Sequence, residues 1–138
     1  MTMTPQKIFD KVAAGLLEQG RPAFTDYCEY KTETGERCAI GMLLTGKQLA
    51  WAKSINGGIE TLMDKAGEDD IKLPSFISSG NHNELLIQLQ MAHDGPCSCT
   101  DDWKELWIHR METIALEYNL DASIFISEKK KLKKKKKK

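Results

Sequence analysis

The sequence predicts an α+β fold: a small, mostly helical single domain with one β-hairpin, at about residues 25–41, packed on three to four helices. Two observations support it. Apolar residues recur at helical spacing in several segments that begin at capping residues or end at glycine or asparagine. One segment with tyrosines on either side of a turn cluster is instead typical of a hairpin. The length of 138 residues suits one hydrophobic core.

The first helix is predicted from its cap and its apolar face. Thr4 is placed as the N-cap, Pro5 at the first helical position, and Gly20 at the end. Residues at helical spacing would form the buried face: Ile8, Phe9, Val12, Ala13, Leu16 and Leu17.

The hairpin is predicted from β-prone residues on both sides of a turn cluster at residues 32–35. If the turn centres on Glu33, paired positions sum to 66, and Cys28 lies opposite Cys38. The chain then runs directly into an apolar segment.

Further helices are predicted after the hairpin, at 42–52 (a short helix, or a helix and a loop), 59–65 and 84–92. Thr100 would cap a last long helix that Asn119 ends. Its predicted buried stripe is Trp103, Leu106, Trp107, Met111, Ile114, Ala115 and Tyr118. The β-prone residues 123–127 indicate an added edge strand.

The charge is divided unevenly between two parts of the chain. Nine of the 20 basic residues are lysines at 129–138, whereas all 20 acidic residues lie in 1–128, beside 11 basic ones. The body is therefore an acidic protein of net charge −9. We predict one globular domain over 1–128 and a disordered polylysine tail over 129–138, either native or appended. Such a tail binds nucleic acid only non-specifically.

Several classes of protein are disfavoured. No apolar run reaches the roughly 18 residues of a membrane span, and the N-terminus does not have the pattern of a secretory signal. We therefore expect a cytoplasmic protein without a membrane partner, in which cysteines are thiols or metal ligands rather than disulfides. The oligomeric state stays open, homo-oligomers included.

Zinc is one candidate cofactor. Cys28, Cys38, Cys97 and Cys99 supply four thiolates, with His93 nearby in sequence, if the hairpin meets the loop that follows His93. The spacing does not match the common Cys-x-x-Cys pattern. The alternative is that the first two are small apolar strand residues and the others incidental loop thiols.

His93 and Asp94 form a candidate acid–base pair. An adjacent carboxylate orients an imidazole for proton transfer, which would suit a small nucleotide-processing hydrolase. The alternative is a pair that merely ends a helix. The sequence contains no phosphate-binding Gly-Lys-Ser/Thr loop, dinucleotide fingerprint or nucleophile elbow, so an enzyme is disfavoured without being excluded.

The hairpin is a candidate ligand-binding surface. Tyr30, Lys31 and Arg37 combine an aromatic ring with two cations, which suits a phosphate or a base. His93 and Trp103 are expected near the same groove. The alternative is an ordinary solvated hairpin face.

Three segments resemble a family of small, largely uncharacterised proteins encoded by phages, prophages and their bacterial hosts. They are Cys28-x-Tyr30, Gly35-x-x-Cys38-Ala39-Ile40-Gly41, and Leu89-Gln90-x-x-His93-Asp94 followed by Trp103. The resemblance implies a cytoplasmic accessory protein of a mobile element in a bacterial host, and no particular reaction. Cys97, Cys99 and the lysine tail lie outside the pattern.

The leading hypothesis is a non-enzymatic phage-type accessory protein that binds and inhibits a host or defence component. It would block a protein surface or sequester a small nucleotide signal. The alternatives are the hydrolase that uses His93 and Asp94 and a zinc-stabilised structural module.

Overall fold

A computed structural model describes residues 3–23, 30–32, 35–55, 58–96 and 102–136. Most of them lie in α-helices, which are α1 Pro5–Gln19, α2 Gly46–Ala52, α3 Ile59–Glu68, α4 Ser75–Ser78, α5 Asn83–Asp94, α6 Trp103–Tyr118 and α7 Ile126–Lys136. Two short 3₁₀ turns, Gly41–Leu43 and Ser123–Phe125, precede α2 and α7.

The predicted α+β class is wrong. Within the described ranges the structure contains no strand, and the β-structure is limited to one antiparallel bridge between Lys31 and Arg37. The predicted edge strand is also wrong, because Ser123–Phe125 forms a 3₁₀ turn that leads into α7. The described part of the chain is helical, and over the described residues of the predicted hairpin, 30–32 and 35–41, the pairing consists of a single bridge.

The register around this bridge differs from the predicted one. The Cys38 N–H donates to the Tyr30 carbonyl at 3.2 Å, and the Thr32 N–H donates to the Glu36 carbonyl at 2.8 Å. Paired positions therefore sum to 68 rather than 66. Cys38 lies opposite Tyr30 instead of Cys28, which is outside the described residues.

Gly41 explains why the pairing stops after one bridge. The chain folds back so closely that a Cβ on Gly41 would collide with the Tyr30 carbonyl oxygen. The Gly41 N–H donates to the Sγ of Cys38 at 3.3 Å, which holds the corner closed. The Gly-x-x-Cys-Ala-Ile-Gly segment is therefore a corner that enters a 3₁₀ turn.

The side-chain amide of Gln19 makes the backbone hydrogen bonds to Arg37 that a neighbouring strand would make in a sheet. The Arg37 N–H donates to Gln19 Oε1 at 2.7 Å, and Gln19 Nε2 donates to the Arg37 carbonyl at 2.9 Å. One side-chain amide thus satisfies the backbone groups of Arg37 that face away from Lys31. The last turn of α1 thereby fixes the position of the bridge.

Helix α1 confirms its sequence prediction. Thr4 Oγ1 accepts from the Lys7 N–H at 3.2 Å, and Gly20 adopts a left-handed φ of 74° while its N–H donates to the Leu16 carbonyl. Five of the six predicted apolar residues are fully buried, namely Ile8, Phe9, Val12, Ala13 and Leu16. This face packs against α5, α6 and both 3₁₀ turns.

The core centres on a chain of aromatic rings. Trp103 and Trp107 stack with centroids 5.3 Å apart, and Phe125 meets Trp107 edge-on, also at 5.3 Å. Phe9 of α1 continues the chain with an edge contact to Phe125 at 6.1 Å. Edge-on and offset contacts of this kind stabilise a core beyond the area they bury.

The stripe predicted for α6 is mostly confirmed. Trp103, Trp107, Met111, Ile114 and Ala115 are buried. Leu106 is an exception, because 40% of it is exposed while its neighbour Ile108 is buried instead. The buried face is thus rotated slightly from the predicted one, and leucines remain on the outer face.

Helix α7 lies against α6 and contains the start of the lysine run. Lys129 Nζ is 2.8 Å from Glu112 Oε2, and Lys104 Nζ is 3.0 Å from Glu128 Oε2. Leu132 is partly buried against the core. The predicted division into a globular domain and a disordered tail stays a prediction.

Candidate functional site

His93 lies at the end of α5 with none of its surface exposed. Its Nε2 is 2.9 Å from the backbone N of Ala23, and its Nδ1 is 2.8 Å from Asp94 Oδ1. A backbone N–H can only donate, so Nε2 must accept. The proton of the neutral ring therefore lies on Nδ1 and is donated to the Asp94 carboxylate.

Gln90 and Trp103 extend this hydrogen-bond chain. Gln90 Oε1 accepts from the Ile40 N–H at 3.1 Å, and Gln90 Nε2 donates to Asp94 Oδ1 at 2.7 Å. Trp103 Nε1 donates to the His93 carbonyl at 2.9 Å, with its ring edge-on to the imidazole at 5.6 Å. We refer to these residues as the His93 network: Ala23, Ile40, Gln90, His93, Asp94 and Trp103.

The His93 network joins two of the three segments that carry the phage-family resemblance. Ile40 belongs to the corner segment, whereas Gln90, His93 and Asp94 belong to the segment on α5. Whether the two segments meet could not be derived from the sequence. The structure shows that they meet in the interior, through hydrogen bonds.

The geometry of His93 bears on the acid–base hypothesis. A general base needs a ring nitrogen within reach of a substrate proton. Here Nε2 accepts from Ala23, Nδ1 faces Asp94, and the ring is completely buried. This arrangement favours a structural histidine, although turnover itself is untested and the hydrolase remains a prediction.

Cys38 is a buried thiol in the same region. Burial raises its pKa to about 12, the hydrogen bond from the Gly41 N–H opposes that rise, and the nearby Asp94 carboxylate adds to it. The thiol is therefore protonated at neutral pH, which disfavours both nucleophilic attack and metal binding.

The other three cysteines of the zinc hypothesis, Cys28, Cys97 and Cys99, lie outside the described residues. Over the part of the chain that is described, no group of three or more His, Cys, Asp or Glu side chains is placed to hold a metal. Zinc therefore stays an untested prediction.

The residues predicted to bind a ligand lie at very different depths. Tyr30, His93 and Trp103 are 5%, 0% and 1% exposed, whereas Lys31 and Arg37 are partly exposed. Burial, with Cys38 and Asp94 close by, raises the pKa of the Tyr30 hydroxyl above its ordinary value. The structure thus places the aromatic members in the interior and the cations nearer the surface. The ligand-binding role stays a prediction.

The outer face of α6 is a surface that the sequence reasoning missed. Leu116 is 84% exposed there and Leu106 is 40% exposed. We call this face the α6 ridge, which consists of Leu106, His109, Arg110, Thr113, Leu116 and Glu117. The signal in the sequence was Leu116, an apolar residue outside the predicted buried stripe.

Two shallow grooves run along the α6 ridge, one on each side. The groove toward α5 has a volume of about 150 Å³ and is lined by Gln88, Met91, Ala92, Arg110, Thr113, Ile114 and Glu117. The groove on the other side, of about 380 Å³, is lined by His109, Glu112, Thr113, Ala115, Leu116, Leu120 and Ala122. Thr113 borders both, so the ridge separates them. Met91, at the edge of the first groove, is 53% exposed.

A third depression, of about 480 Å³, lies where α1 meets the segment after α6. Its polar groups bond to one another: Gln6 Nε2 donates to Asp10 Oδ1 at 2.8 Å, and Gln6 Oε1 accepts from the Asp121 N–H at 2.7 Å. These contacts link the two ends of the fold.

No helix within the described ranges is both long enough and apolar enough to cross a membrane. No protein-family model matches this chain, and comparisons with curated proteins and with solved structures give no match either. The resemblance to phage-encoded proteins is therefore untested and stays a prediction. Over the described residues, the fold and the two sites define a small helical protein with a partly buried polar network and an outer ridge of mixed polar and apolar residues.

Proposed function

We propose that this chain is a non-enzymatic accessory protein that covers a surface of a partner protein with its α6 ridge. Following the resemblance, the partner would be a host or defence component in the cytoplasm of a bacterium. The observation that carries the proposal is the exposure of Leu116 on the ridge. Leu106 is exposed about 15 Å further along the same face of α6, and Met91 is exposed at the edge of the groove toward α5.

The energetics of Leu116 favour a macromolecular contact. Burying a leucine side chain is worth about 1.5–3 kcal/mol, and the free protein forgoes nearly all of that at a residue 84% exposed. A partner that packs over Leu116 and Met91 recovers this energy. Arg110, Thr113 and Glu117 supply the polar rim that protein interfaces commonly have.

The same surfaces favour a protein over a nucleotide. The 150 Å³ groove is smaller than the roughly 300 Å³ at which small-molecule pockets begin, whereas the 380 Å³ groove on the other side exceeds that size, so its charge decides. The cation that lines the smaller groove, Arg110, shares it with the carboxylate of Glu117. In the opposite groove, Glu112 is already bonded to Lys129. Neither groove offers the concentration of positive charge that phosphates require.

A photo-crosslinking experiment tests the proposal. The full chain is expressed in bacterial cytoplasm with a photoreactive phenylalanine at Thr113, and in a matched control at Lys53, an exposed residue of the segment after α2. We expect a discrete protein adduct from position 113, lost when Leu116→Asp is added and absent from position 53. Equal crosslinking at the two positions, or an adduct insensitive to Leu116→Asp, would overturn the assignment to the ridge.

A further inference from the structure

Helix α7 concentrates positive charge at an unusual linear density. Seven of the eight residues at 129–136 are lysines, and all eight lie within the helix Ile126–Lys136. At a rise of about 1.5 Å per residue they occupy about 12 Å of helix axis, which is roughly one charge per 1.7 Å. Duplex DNA carries its phosphate charges at about the same axial spacing.

The helix is held in a defined position beside the body. Lys129 pairs with Glu112 at 2.8 Å, Lys104 of α6 pairs with Glu128 at 3.0 Å, and Leu132 packs partly against the core. The side facing α6 is thus occupied. A helix fixed in this way loses less conformational freedom on binding than a free lysine tail would.

The two lysines that follow Lys129 are exposed to solvent. Lys130 is exposed, and the side chain of Lys131 is 72% exposed, with Glu128 no closer than 3.8 Å. An exposed ion pair at that distance contributes little to stability. Lys131 can therefore leave Glu128 and contact another anion with almost no loss of stability. α7 therefore offers cations whose present partners hold them weakly.

A nucleic acid suits α7 better than an anionic membrane does. The helix offers little apolar surface for insertion into lipid, because Leu132 packs partly against the protein core, although Ile126, in the first turn, is 53% exposed. Lipid surfaces usually need such a second anchor in addition to basic residues. A flat anionic surface would also repel the acidic body of the protein, because residues 1–128 contain 20 acidic and 11 basic residues. A narrow polyanion avoids most of that repulsion.

We propose that α7 is a sequence-independent nucleic-acid-binding element that grips the phosphate backbone with its lysines. The proposal does not depend on the protein-binding role of the α6 ridge, because it rests on different residues. It predicts binding governed by counterion release, with little discrimination between sequences.

The test measures the affinity of the full chain for a mixed-sequence 20-base-pair DNA duplex between 50 and 200 mM salt. The variant Lys130→Gln/Lys131→Gln is compared with Lys47→Gln/Lys53→Gln, a control that removes two exposed lysines and the same net charge elsewhere. A lost phosphate contact reduces the slope of log affinity against log salt by about 0.9. We expect a reduction of about 1.8 for the α7 variant and no change for the control.

Four results would overturn this proposal. The first is an equal change of slope in both variants, which would show a net-charge effect. The second is the absence of duplex binding at 50 mM salt. The third is tighter binding to vesicles of mixed neutral and anionic lipid than to the duplex, which would identify a membrane surface instead. Equal affinity for two duplexes of unrelated sequence would support the backbone-directed mode, and a strong preference for one would contradict it.

Discussion

His93 Nε2 accepts a hydrogen bond from the backbone N–H of Ala23 across 2.9 Å, although 70 positions separate the two residues. This contact ties the segment after α1 to the end of α5, inside the protein. Asp94, Gln90 and Trp103 complete the same network. The polar residues that stand out most in the sequence therefore hold the helices together, whereas Leu106 and Leu116 on the α6 ridge face outward.

Replacing His93 should destabilise the protein severely. His93→Ala leaves a cavity beside Trp103 and a buried Ala23 N–H without an acceptor, so we expect a loss of about 3–5 kcal/mol in the free energy of unfolding. The control is His109→Ala on the exposed face of α6, expected to change stability by no more than about 0.5 kcal/mol. Urea denaturation measures both, and equal effects would show that the network is unimportant.

Gln90 and His93 should behave as coupled residues, because both bond to Asp94 Oδ1. Gln90→Leu preserves approximate volume but removes the acceptor of the Ile40 N–H, at an expected cost of about 1–3 kcal/mol. In a double-mutant cycle with His93→Ala we expect a coupling free energy of at least about 0.5 kcal/mol. Strict additivity of the two changes would argue against a shared network.

Gly41 should tolerate no side chain. Gly41→Ala places a Cβ against the Tyr30 carbonyl oxygen and opens the corner, so we expect a loss of at least about 2 kcal/mol. Gly46, in the first turn of α2, has nothing within 4 Å of such a Cβ. Gly46→Ala should therefore be neutral or stabilising by about 0.5–1 kcal/mol. Thermal unfolding of both variants distinguishes them, and a tolerated Gly41→Ala would contradict the described corner.

Cys38 should make stability fall in alkaline solution. Its folded pKa of about 12 exceeds the ordinary thiol value near 8.5, so the unfolded chain loses this proton first as the pH rises. The stabilising contribution of the neutral thiol is complete below about pH 8.5 and declines up to about pH 12, by about 1 kcal/mol per pH unit.

The matched comparison for Cys38 uses Cys38→Ala, which has no thiol to titrate. The free energy of unfolding of the wild type minus that of Cys38→Ala should decrease by about 2 kcal/mol between pH 8 and pH 10. Tyr30 is the group most affected by the substitution, because Cys38 helps to raise its pKa, but burial is the larger cause and remains in both proteins. A difference that is constant over this range would show that the Cys38 thiol is not buried as described.

Among the described helices, α1, α2, α3, α5 and α6 could be predicted from local signals, whereas α4 and α7 were not predicted and the hairpin was predicted wrongly. α1 has a threonine cap, a proline, a periodic apolar face and a glycine stop, so every local signal agrees. The segment around Cys38 has β-prone residues, but Gly41 turns the chain back over Tyr30 after one bridge. That close approach is a tertiary contact, which residue propensity cannot reveal.

The candidate sites show the same limit. His93 and Asp94 were recognisable as a polar pair. The group that determines which ring nitrogen of His93 carries the proton is, however, a backbone N–H from a distant segment. Leu116 lay outside the predicted buried stripe, so its exposure agreed with the sequence, whereas the exposure of Leu106 depended on the exact rotation of α6. Long-range hydrogen bonds and small helix rotations both depend on packing, which periodicity describes only coarsely.

The most direct test of this account is native mass spectrometry of the full chain purified gently from bacterial cytoplasm, beside its Leu116→Asp variant. The account predicts a species heavier than the chain by the mass of a whole partner protein, and the loss of that species in the variant. A nucleotide-sized adduct that survives Leu116→Asp would contradict it. That result would favour the ligand-binding hypothesis for Tyr30, Lys31 and Arg37 over the α6 ridge.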